Sequence, residues 1–159
     1  MKGRDEVTEA ADGVEREQAG PTASALIRDL LWECFPEQRE AILALEEDER
    51  EDADPVNRPA VEVGAYTLVS DVFVDEVLRP LLEAVPLDEE WANRCASFLE
   101  RLLELGERSP FIKEMTSIRV TDQLLGYPEN WKKLHPHAGE LLRREVRERQ
   151  IYYTGPFPE

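Results

Sequence analysis

The sequence predicts an all-α protein, a compact array of five to seven antiparallel helices whose central pair packs like one unit of a helical-repeat protein. Apolar residues recur at helical spacing in one segment after another. Good capping residues and prolines stand where those segments start, and the connections between them are short. No self-similarity recurs at a fixed period, so a true solenoid is not expected.

Residues 1–20 hold Val7 and Val14 as their only large aliphatics after Met1. Such a segment cannot bury enough apolar surface to offset its ordering entropy, and it reads as a disordered acidic segment. The single helical domain is expected over 21–150. Thr22 caps a first helix carrying Leu26, Ile27, Leu30, Leu31, Cys34 and Phe35. Pro36 stops it and suits the first turn of a second helix, which carries Ile42 and Leu45 and is expected to run out near residue 48. Residues 52–60, with Pro55 and Pro59, read as a loop. A third helix starts near Gly64 or Ala65 and reaches Leu82. Its β-branched stretch at 66–74 imitates a strand, but the length favours a helix, with a kink or break expected at 77–80 before Pro80.

Asp88 caps the fourth helix, whose stripe is Trp91, Cys95, Phe98, Leu99, Leu102 and Leu103, with Gly106 past its end. Ser109-Pro110 opens a fifth, with Phe111, Met115, Ile118 and Leu125 as its apolar face and Gly126 closing it. A short turn with Trp131 and Leu134 follows, and Pro136 opens a final helix to about residue 149. The tail 151–159 (IYYTGPFPE) is too aromatic for a solvated linker and is expected to lie at least partly on the body.

Composition narrows the function. The chain has 159 residues, 35 acidic and 19 basic, for a formal net charge of −16. A chain of this length buries roughly 68–70% of its unfolded surface, so it needs no metal or disulfide for stability. The charge argues against nucleic acid, whose phosphates are met by Lys and Arg. No stretch approaches the ~20 apolar residues of a membrane span, and residues 1–20 hold no apolar signal-peptide region. Cys34 and Cys95 sit in helical patterns among apolar residues and read as reduced thiols of a cytoplasmic protein. All basic residues but Lys2, Lys113, Lys132 and Lys133 are arginine, a bias that hints at a high-GC bacterial genome.

No nucleophile–base pair, glycine-rich phosphate loop, Cys-x-x-Cys or His-Glu-x-x-His occurs, so no catalytic residue, cofactor or metal ligand is assigned. His135 and His137 flank Pro136 and read as exposed imidazoles at a helix entry. Asp122 stands out. Counting 100° per residue from Phe111, it falls at about 20°, in the middle of the apolar stripe. A buried carboxylate needs donors. It is expected either to cap the Gly126–Trp131 turn or pair with an arginine such as Arg119, or else to line a binding cleft.

Charge is uneven. Residues 1–60 carry 7 bases and 17 acids, residues 61–126 carry 6 and 13, and residues 127–159 carry 6 and 5. The densest run is 46–54, with Glu46, Glu47, Asp48, Glu49, Glu51, Asp52 and Asp54. It reads either as a solvated acidic loop or as a docking surface that steers a basic protein. Tyr152, Tyr153 and Phe157 are candidate aromatic anchors, with packing on the protein's own core as the alternative.

Three stretches, SFLERLLELGERSP, SIRVTDQLLGYPENW and LHPHAGELLRRE, together resemble an uncharacterised family of small, acidic, all-helical bacterial proteins. That family accompanies polymorphic-toxin loci and looks like immunity proteins. The resemblance spans about 62–146. Asp122 stands where the family tends to have glutamate, and the basic closing helix departs from a uniformly acidic profile. The resemblance implies a non-enzymatic domain that binds another protein, an immunity protein for a basic toxin domain. The alternatives are a helical accessory or scaffold protein, and a small hydrolase-like enzyme with acids converging around Asp122 and His135 or His137.

Overall fold

The computed structural model describes residues 21–53, 62–154 and 157–158, and the expectation for 1–20 lies outside them. Among the described residues there is no strand. Seven helical rods account for the body of the described residues. They are α1 (Ala23–Cys34), α2 (Arg39–Asp52), α3 (65–83), α4 (Glu89–Gly106), α5 (110–126), α6 (Pro128–Leu134) and α7 (Glu140–Arg149).

The local signals for helix starts work as expected. Thr22 Oγ1 accepts from Ala25 N at 3.1 Å, Asp88 Oδ1 from Trp91 N at 3.1 Å, and Ser109 Oγ from Ile112 N at 3.2 Å. Each satisfies a backbone donor that the first helical turn leaves without an intrahelical partner. α4 is the central rod. Cys95, Phe98, Leu99 and Leu102 on it are fully buried against α1, α5 and α7. Burial pushes the Cys95 thiol up to about 12. Phe35, at the end of α1, is the hub of an aromatic cluster. Its ring lies 5.9 Å from Phe73, 5.4 Å from Phe98 and 5.9 Å from Trp91.

α5 folds back on α4 through the short connection 107–109, and the two form the stacked pair expected of the centre. A Cβ at Gly106 would lie 3.2 Å from the Lys113 backbone, so the small residue permits this close return.

Four expectations need correction. α3 does not break before Pro80, but it changes helix type between Leu78 and Arg79, within the expected 77–80. It runs as a π-helix over Leu68–Leu78, with the Arg79 N–H bonded to Val74 O, and continues to Glu83. The i→i−5 pattern is a wider turn, which admits the proline ring where a regular α-turn would clash. α2 reaches Asp52 rather than stopping near 48. The final helix begins at Glu140, not Pro136, and His135–His137 form a separate 3₁₀ turn.

The fourth correction is the buried face of α5. Ser117–Thr121 is a second π segment, and the residues facing the core are Ile112, Met115, Val120, Leu124 and Leu125. Phe111 and Ile118 are 49% and 39% exposed. A uniform 100° step fails from the wider turn onward; Phe111 and Ile112 lie before it, in the first turn, and it does not account for them.

Candidate functional site

The acidic run is helical rather than a loop. Glu46 through Asp52 form the C-terminal half of α2, and Asp54 lies outside the described residues. Glu46 differs from the rest. Its carboxylate accepts from Arg28 Nε at 2.5 Å and Nη2 at 3.2 Å, and its side chain is only 20% exposed. This hydrogen bond holds the Arg28 guanidinium above its ordinary pKa, against the opposing effect of burial. Arg28 also stands over the Trp32 ring at 4.6 Å, so Glu46 belongs to the joint between α1 and α2.

Glu47 pairs with Arg50 one turn on, an exposed contact of little energetic weight. Asp48, Glu49, Glu51 and Asp52 are exposed and make no ion pair with the described residues. They crowd the end of α2 where the macrodipole is negative, and carboxylates there are disfavoured by roughly 0.3–1 kcal/mol each. Local stability therefore does not explain their placement.

Asp122 is neither at the centre of a buried stripe nor bound to the Gly126–Trp131 turn or Arg119. Its side chain is 29% exposed and is gripped by Arg149 of α7, Nε to Oδ1 at 3.1 Å and Nη2 to Oδ2 at 3.3 Å. Burial first, and then the neighbouring Asp122 carboxylate, raises the Tyr153 phenol above its ordinary pKa. Asp122 thus ties α5 to α7.

The histidines are not exposed imidazoles. His137 sets Nδ1 2.6 Å from Asn93 Oδ1 and Nε2 2.9 Å from Glu89 Oε1, with its side chain 11% exposed. His135 Nε2 lies 2.9 Å from Arg143 Nη1, and its carbonyl accepts from Nη2 at 2.8 Å. No hydrogen bond among the described residues joins Asp122 to either histidine. None of the three lines the cavity of about 620 Å³ between Leu78, Leu82 and Tyr127. Among the described residues, no group of three or more His, Cys, Asp or Glu could hold a metal ion, and no helix is long and apolar enough to cross a membrane.

The aromatic tail divides. Tyr153 and Phe157 pack on the core, and the Trp131 indole donates to Pro158 O at 3.4 Å. Tyr152 stays 70% exposed beneath Arg149, and Ile151 is 78% exposed.

Two carboxylates with structural roles escaped the sequence reading. Glu145, on α7, is 4% exposed and accepts from Ser117 Oγ at 2.5 Å and Thr121 Oγ1 at 2.9 Å. The pair of hydroxyls four residues apart on one side of α5, Ser117 and Thr121, was its signal. Glu100 of α4 accepts from the Leu141 and Leu142 N–H groups at 2.6 and 3.1 Å, capping α7 from another helix. Nothing local in the sequence announces that cap. Compared with family models, with curated proteins and with solved structures, the chain matches none.

Proposed function

We propose that this chain is a non-enzymatic protein-binding domain that takes up a basic protein by electrostatic complementarity, as an immunity protein takes up a basic toxin domain. The observation that carries the reading is the end of α2. Asp48, Glu49, Glu51 and Asp52 stand exposed, without ion-pair partners among the described residues, at the helix pole that disfavours them. Residues that break a local rule of stability without compensation are expected where function requires them. The net charge of −16 extends that patch into a long-range field that steers cations. The weak resemblance over 62–146 adds the toxin-neutralising role.

The test replaces Asp48, Glu49, Glu51 and Asp52 with Asn or Gln and compares what the two proteins retain from the native host. The neutralised protein should keep its fold and lose the basic partner held by the parent. Retention of the same partner in equal amount would overturn the reading.

A further inference from the structure

A second feature, away from the α2 terminus, is a cleft of about 270 Å³ between the end of α3 and the start of α4. Val77, Pro80, Leu81 and Trp91 form its apolar walls, and the carboxylates Glu37, Glu76 and Asp88 line it as well. The volume lies below the ~300–1,000 Å³ typical of small-molecule sites and suits a single long side chain. Among the described residues no basic side chain lines it, although Arg94 holds its Glu37.

The nearest cations are occupied. Arg79 pairs with Asp75 at 2.9 Å, and Arg94 forks onto Glu37 at 2.8 and 3.0 Å. Glu76 is exposed and makes no ion pair among the described residues. Asp88 uses Oδ1 for its helix cap, and no hydrogen bond among the described residues reaches its Oδ2.

Arg94 shows which chemistry this surface accepts. Its guanidinium lies 4.3 Å from the Trp91 ring centroid while holding a carboxylate. That carboxylate, Glu37, and the Trp91 ring both line the cleft, which adds two further carboxylates, Glu76 and Asp88, that no cation among the described residues holds. We propose that it receives one arginine side chain of the basic partner, with the stem along Pro80 and Leu81 and the guanidinium between Glu76 and Asp88. Arginine suits it better than an apolar anchor because the rim is anionic, and better than lysine because the planar fork matches carboxylates beside an aromatic ring. The inference rests on the protein-binding reading above and adds an anchor to it.

The test uses a tetra-arginine amide peptide, with a tetra-citrulline peptide as its uncharged isostere, followed by NMR of the tryptophan indole signals. The Trp91 signal should move and those of Trp32 and Trp131 should stay. Ala84→Leu, which fills the cleft and changes no charge, should weaken binding by about fivefold or more. Glu76→Gln with Asp88→Asn, which keeps an N-cap, should do the same, and the citrulline peptide should not bind. Wild-type affinity in Ala84→Leu, or an unmoved Trp91 signal, would overturn the cleft. If neutralising α2 then still weakened the peptide, the protein-binding reading would survive without it. A Trp91 signal that shifts with protein concentration alone would assign the cleft to a second copy of this chain and also overturn the proposal.

Discussion

Arg28 holds Glu46 through two hydrogen bonds, at 2.5 and 3.2 Å, and so withdraws the first carboxylate of the acidic run from solvent. The boundary between structural and available charge thus falls inside one helix. Glu46 joins α2 to α1, and the acids after it face outward.

That division is measurable. Glu46→Gln should lower stability in chemical denaturation by about 1 kcal/mol, a charged hydrogen bond discounted for partial exposure. Asp48→Asn and Asp52→Asn should leave stability unchanged or raise it by a few tenths of a kcal/mol, since they relieve the helix dipole. A double-mutant cycle with Arg28→Ala checks that the Glu46 effect is shared with its partner.

Glu145 carries the heaviest polar burden. Replacing it with Ala strands Ser117 and Thr121 in the seam between α5 and α7, at a cost of about 3 kcal/mol. Glu145→Gln keeps an acceptor and should cost clearly less. Equal melting temperatures for the two variants would contradict this assignment.

The cap on α7 supplies a further check. Glu100→Ala should cost about 1 kcal/mol and speed hydrogen exchange at the Leu141 and Leu142 amides. Gly139→Ala should mimic it, because its Cβ would fall 2.6 Å from the Glu100 carboxyl and displace the cap.

The Asp122–Tyr153 contact predicts a pH dependence. The Tyr153 phenol has a folded pKa above its unfolded value, so its contribution is fully present at neutral pH and is lost as pH rises through the folded value. Asp122→Asn should move the Tyr153 titration, followed by ultraviolet absorbance, back towards the ordinary tyrosine value. Asp122→Ala should also lower the melting temperature, because Arg149 loses its partner.

These sites explain what the sequence could and could not disclose. Thr22, Asp88 and Ser109 were legible because a cap is a contact between neighbours, and the stripe of α4 because an unbroken helix keeps its period. The second half of the α5 face was not, because the π segment at Ser117–Thr121 shifts everything after it, and Asp122 was misplaced with it. The start of α7 was missed because a carboxylate from α4 caps it. The density of acids at 46–52 was visible from composition. Their division into one partly buried ion pair and an exposed helix end needed the packing of α1 on α2.

The most direct measurement is the association rate between this protein and the basic protein it retains in its native host, taken across a salt series. With Asp48, Glu49, Glu51 and Asp52 neutralised, the rate at low salt should fall about tenfold and its dependence on salt should flatten. Rates and salt slopes identical to those of the parent protein would contradict a recognition role for the end of α2.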